Sequence, residues 1–81
     1  MKVEVRLFAT LAPYLPPGSR DGAAIVEVPE GVTPRELIRQ LGVPADLERV
    51  ILVNGTDVPT DRPLRDRDVV TLFPPLTGGG H

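Results

Sequence analysis

Cysteine is absent from this 81-residue chain, and with it go disulfides, thiolate metal sites and thiol nucleophiles. Any reactive sulfur has to be attached by other chemistry. Aromatics are nearly as scarce. No tryptophan, one tyrosine and two phenylalanines offer no stacking platform for bases, and a net charge of -2 with a pI near 5.2 offers no basic field for phosphates. Nucleic acid is therefore not expected as a partner. No apolar run approaches the roughly 18 to 20 residues that span a bilayer, and Met1-Lys2-Val3-Glu4-Val5-Arg6 alternates in polarity instead of building a signal-peptide core. The expectation is a cytoplasmic protein without a membrane partner. His81, the single histidine, stands at the last position with no rigid neighbours to orient it as a base or ligand.

What remains is ordinary globular material. Hydrophobic residues make up 41% and charged residues 25%, enough for one modest core and too little chain for a second domain with its own cleft. Ten prolines point to many defined turns. Val3, Val5 and Leu7 alternate with Lys2, Glu4 and Arg6, the period of a half-buried strand. Residues 9–14 can make a short helical turn, which Pro16-Pro17-Gly18 ends, and residues 16–22 read as a loop. Ala24, Val26 and Val28 alternate with Ile25 and Glu27 in a second strand that stops at Pro29.

The stretch from Val32 carries a full set of helix-start signals. Thr33 can cap, Pro34 suits the first helical position, Glu36 completes a capping box, and Val32 can staple onto Leu37. Leu37, Ile38 and Leu41 share a face, and Gly42 suits a left-handed stop. One further turn fits residues 44–48. Val50-Ile51-Leu52-Val53 is an apolar run closed by Asn54-Gly55, a tight-turn pair, and residues 68–73 form the last strand, stopped by Pro74-Pro75. The order β-β-α-β-(β)-β, with one helix, buries its apolar surface when the helix lies across one face of a mixed sheet of four to five strands. The expected class is α+β with a β-grasp architecture over residues 1–75, followed by a flexible glycine-rich tail over residues 76–81.

Two features invite a chemical reading. Asp57, Asp61, Asp66 and Asp68 cluster near turns, but their spacing does not match a calcium loop and Arg62, Arg65 and Arg67 interleave them. Solvated turn residues are the better reading, so no metal site is expected. The tail differs. Gly78, Gly79 and Gly80 lack side chains, so their backbone can enter a channel too narrow for any other residue. Pro74 and Pro75 favour an extended exit that holds the glycines away from the body. A frayed terminus or a fragment of an expression tag is the plain alternative.

Against that alternative stands the phrase Leu72-Phe73-Pro74-Pro75-Leu76-Thr77-Gly78-Gly79, with Val5-Arg6-Leu7-Phe8-Ala9, the Thr33-to-Leu41 segment and Asn54-Gly55 before it. Over almost its whole length the chain resembles the MoaD-type small subunit of molybdopterin synthase, in the ubiquitin-like sulfur-carrier family that also includes ThiS. The resemblance implies a carrier with no bound cofactor, not catalytic alone. An E1-like activating enzyme uses ATP to adenylate the terminal glycine carboxylate, sulfur displaces AMP to leave a thiocarboxylate, and the large catalytic subunit of molybdopterin synthase receives that sulfur. Adenylation supplies the leaving group that a carboxylate lacks. A carrier for thiazole or amino-acid biosynthesis, and a ubiquitin-like protein modifier, share the same ending and stay open.

Two departures from the family pattern stand out. The family usually ends at the second glycine, here Gly79, whereas this chain continues with Gly80-His81. The resemblance implies trimming by a metalloprotease, with an engineered remnant or a genuine variation as alternatives. Arg67 stands where relatives generally have glycine, so either the turn type differs or a small strain is tolerated.

Strand parity adds a partner face. With Val3, Val5, Leu7, Val70 and Leu72 inward, Phe8 and Phe73 point away from the core. The expected partner-binding set is Phe8, Phe73, Pro74, Pro75 and Leu76, an apolar docking patch beside the tail. In the family the open sheet face docks on the activating enzyme and the large synthase subunit.

Overall fold

A computed structural model of the chain describes residues 1–44, 46–47 and 49–75. Five strands form one sheet, β1 (Lys2–Leu7), β2 (Ala23–Glu27), β3 (Val50–Val53), β4 (Thr56–Asp57) and β5 (Val69–Phe73), with one α-helix, α1 (Pro34–Leu41). The spatial order is β2-β1-β5-β3-β4. β1 and β5 run parallel at the centre, with Val5 opposite Val70 and Leu7 opposite Leu72, while the other pairings are antiparallel. This is a β-grasp fold, a mixed sheet of five strands with one main helix.

The helix forms where its start signals lie. Thr33 accepts from the Glu36 amide at 3.2 Å, and the Glu36 carboxylate accepts from the Thr33 amide at 3.0 Å, so the capping box closes reciprocally. At the other end Gly42 takes φ 86°, its amide donating to Arg39 and that of Val43 to Ile38 at 3.2 Å. That is a Schellman stop, which brings buried Val43 beside Ile38. Pro34, Leu37 and Ile38 are buried and Leu41 half-buried, a stripe at one, four, five and eight along the helix. The stripe joins the core of Val3, Val5, Leu7, Leu11, Val28, Val32, Leu64, Val70 and Leu72.

The short residues between strands are fixed by specific bonds. Ala9–Tyr14 is a 3-10 helix that plugs Leu11 into the core. Pro44 and Leu47 close the expected turn through a 3.1 Å backbone bond. Asn54 and Gly55 both take positive φ, 53° and 81°, the type I′ pair that matches hairpin twist. They return the chain into β4, so the optional strand of the sequence reading is Thr56–Asp57. The last strand begins at Val69, because the amide and side chain of Asp68 are used in the turn before it, the amide donating to the Arg65 carbonyl at 3.1 Å.

Candidate functional site

β5 is the central strand that ends at the tail, so its residues set what lies at the tail's root. Phe73 is its last residue and pairs with Val50 of β3. Pro74 and Pro75 follow, and neither can donate to a neighbouring strand, which ends the ladder there. Both prolines are half-buried. Leu76, Gly78, Gly79 and Gly80 lie outside the described residues, as do Thr77 and His81.

Beside this exit, the Phe8 amide donates to the Leu72 carbonyl at 3.1 Å, with Phe8 itself in extended conformation. The bond carries the β1–β5 register one step past Leu7, so Phe8 is the neighbour of Phe73 on the side away from the helix. Phe8 is 45% exposed and Phe73 half-buried, and neither belongs to the core. The parity reading of both phenylalanines therefore agrees with the described positions. A continuous row Phe8, Phe73, Val50 crosses the sheet at the tail's root, with Leu52 behind it on β3.

The rest of the open face changes character with distance from that row. Arg6 and Glu4 pair with each other in β1, and Thr71 lies level with Arg6 on β5. Farther along, Ile25 of β2 stands opposite Glu4 and is 62% exposed. The face thus has an apolar end at the tail and a charged middle, the pattern of a docking patch with a polar rim. Val50, Leu52 and Ile25 were absent from the expected partner set. For Ile25 the signal was present in its alternation with Ala24 and Val26. For Val50 and Leu52 it was hidden, since four consecutive apolar residues do not reveal which of them face out.

Two of the four clustered aspartates, Asp66 and Asp68, hold the turn before β5 through their carboxylates. Asp66 accepts from the Lys2 amide at 2.8 Å. Asp68 accepts from the Asn54 side chain at 2.9 Å with one oxygen and from the Arg65 amide at 2.8 Å with the other. Asn54 in turn accepts from the Val69 amide at 2.9 Å. These carboxylates order the turn that starts β5, and no group of three or more His, Cys, Asp or Glu side chains gathers as a metal site among the described residues. Arg67 has φ 71°, so the small strain is accepted, and its amide donates to the Lys2 carbonyl at 2.6 Å. No described helix is long and apolar enough to cross a membrane.

The pattern of strands, helix and tail has a counterpart in known proteins, and the model of the ThiS family matches residues 5–79. The chain belongs to the ThiS family. The match ends at Gly79, leaving Gly80 and His81 beyond it. Among solved structures, this ThiS-family chain is similar to a protein described as molybdopterin converting factor subunit 1 from Pyrococcus furiosus. The two share 32% identity over 91% of this chain and 97% of that one, at a TM-score of 0.70. It is also similar to small archaeal modifier protein 1 of H. volcanii, with 25% identity over 91% and 97% of the two chains and a TM-score of 0.69. A third structure, the complex of subunits 1 and 2 of molybdopterin-converting factor from Helicobacter pylori, gives 26% identity over 98% and 100%, with a TM-score of 0.63. No significant match is found among curated proteins. The family is that of ubiquitin-like sulfur carriers and modifiers, small carriers rather than catalysts.

Proposed function

We propose that this chain is a cytoplasmic sulfur carrier for molybdopterin assembly, and that Gly79 is the residue whose carboxylate is activated. The observation that supports the reading is the apolar row Phe8, Phe73 and Val50 at the end of β5, the strand that leads in sequence through Pro74-Pro75 to the diglycine. An E1-like enzyme docks on this row, threads the glycines, and transfers AMP from ATP to the Gly79 carboxylate. Sulfur then displaces AMP and leaves a terminal thiocarboxylate. The large synthase subunit docks on the same row and takes the sulfur, in keeping with the two-subunit assembly of the Helicobacter pylori relative. Gly78 is required because a side chain there would not pass the channel. Pro74 and Pro75 set the exit direction and with Leu76 extend the docking row, and removal of Gly80-His81 by a metalloprotease exposes Gly79.

Intact-mass measurement of the chain co-expressed with its activating enzyme and a sulfur source tests this. The expected result is a species ending at Gly79 in which one terminal oxygen is replaced by sulfur. Only full-length carboxylate, from a strain with active molybdenum or tungsten enzymes, would refute the reading. The likeness to small archaeal modifier protein 1 favours a second reading, a modifier joined to lysines of other proteins. Isopeptide-linked adducts in a denaturing lysate, lost when Gly78 and Gly79 are deleted, would select it.

A further inference from the structure

Lys2 is the only lysine among the nine basic residues; the rest are arginines. That ratio matters for a chain whose own carboxyl end becomes an acylating agent. A lysine amine attacks activated acyl carbons, whereas a guanidinium stays protonated and does not. The other amine, at Met1, donates to the Val28 carbonyl at 2.9 Å in a partly buried position, while the Val28 amide returns a bond to the Met1 carbonyl at 2.8 Å. Lys2 is thus the single exposed amine among the described residues.

Its position in the fold decides what it can meet. Because β1 runs parallel to β5, Lys2 sits at the end of the sheet opposite the tail's root. Six residues separate it from the level of Phe73, about 20 Å at strand rise, and proline's preference for extended backbone is expected to carry Pro74-Pro75 farther, to about 26 Å from Lys2. Gly79 is the fourth residue beyond Pro75, a span of at most about 14 Å, to which a lysine side chain adds roughly 6 Å. With that extended exit, a chain's own Gly79 falls short of its Lys2. The tail of a second copy can. Around Lys2, Val3, Glu4, Ile25 and Arg67 border a shallow depression of about 330 Å³, open enough for a side-chain-free glycine backbone.

Resting on the reading that Gly79 is activated, we propose that Lys2 is the one acyl-acceptor site on this chain, joining copies head to tail in trans and never in cis. The neutral Lys2 Nζ attacks the Gly79 acyl carbon of the adenylate of another copy. The C–N bond forms, the C–O bond to AMP breaks, AMP leaves with the electron pair, and the amine proton passes to water. ATP and the adenylating enzyme supply the activated acyl group.

The test uses the chain ending at Gly79, prepared as a C-terminal thioester, which stands in for the adenylate and needs no enzyme. Concentrated protein is incubated in mildly alkaline buffer, with hydroxylamine capture as the standard for live thioester, and products are read by intact mass and peptide sequencing. Expected are dimers and higher ladders with the isopeptide at Lys2, no cyclised monomer, and loss of the ladder in Lys2→Arg with its melting curve unchanged. Cyclised monomer, a junction at Met1, an undiminished ladder in Lys2→Arg, or no ladder while hydroxylamine capture proceeds would each overturn the proposal. Since the acyl donor is made chemically, such a failure leaves the sulfur-carrier reading standing, and that reading's own failure is seen only in the co-expression spectrum.

Discussion

The two faces of β1 and β5 use the same backbone and opposite chemistry. On the helix side Val3, Val5, Leu7, Val70 and Leu72 are at most 1% exposed. On the other side the intervening positions hold Glu4 and Arg6 as a solvent-side pair and Phe8 and Phe73 as an apolar end. Burial on the first face is what folding requires, because that apolar surface supplies the main driving force. The second face contains apolar residues that folding leaves partly in water. An apolar group that the fold does not bury is free to be selected for contact with something else, and here it lies where the chain leaves the sheet.

The sharpest way to break the contrast is to truncate one residue on each face. Leu72→Ala on the buried face should lower stability by about 2–5 kcal/mol, through lost transfer energy and the cavity left between sheet and helix. Chemical denaturation would show it as a lower midpoint at unchanged slope. Phe73→Asp, one residue along, should cost about 1 kcal/mol or less in the same measurement, since only strand preference and partial burial are lost. Its large effect should be on binding to the proposed activating enzyme, a weakening of about 2 kcal/mol or more by calorimetry, because the proposed aromatic anchor becomes a charge buried on docking. A fold loss for Phe73→Asp equal to that for Leu72→Ala would erase the distinction between the faces.

Much of this contrast is legible without coordinates. Strict alternation through residues 2–7 assigns both faces of β1, and Thr33, Pro34, Glu36 and Gly42 mark both ends of the helix through local bonds that need no distant partner. What stays hidden depends on long-range pairing. Nothing near Asn54 in sequence announces that its side chain will bond the Val69 amide, 15 residues away, or that Asp66 will hold the first strand. The facing of Val50 and Leu52 likewise appears only once β3 is registered against β5. The glycine motif and the outward parity of Phe8 and Phe73 are legible in the sequence, while the adjacency of these two residues, 65 positions apart, comes only from the parallel pairing of β1 and β5.

A smaller change probes the polar connections that keep the open face in register. Asn54→Ala removes the acceptor for Val69 and the donor to Asp68, and it places a Cβ residue with no compensating side-chain bond at φ 53°. A loss of about 2 kcal/mol is expected from two exposed hydrogen bonds and the left-handed backbone. Hydrogen exchange should locate the weakening at the start of β5, leaving the α1 amides at the protection set by global unfolding.

The smallest expected effect is at Arg67, and its sign is the informative part. The residue holds φ 71°, a conformation that costs a non-glycine residue about 1 kcal/mol, and its side chain is almost wholly solvated beside Asp66. An exposed pair of that kind contributes little. Arg67→Gly should relieve the strain but also give the unfolded chain more freedom, an opposing term of up to about 1 kcal/mol. The net change should therefore be stabilising by a few tenths of a kcal/mol at most. Its amide bond to the Lys2 carbonyl and the Asp66 bond to the Lys2 amide are independent of the side chain at 67, so the register of β1 should be preserved. A clear destabilisation in Arg67→Gly, seen as a lower melting temperature, would mean that the arginine side chain itself holds the first strand. The turn would then be part of the core-side architecture and not, as the bonds indicate, a backbone clamp onto which any residue tolerating positive φ can be placed.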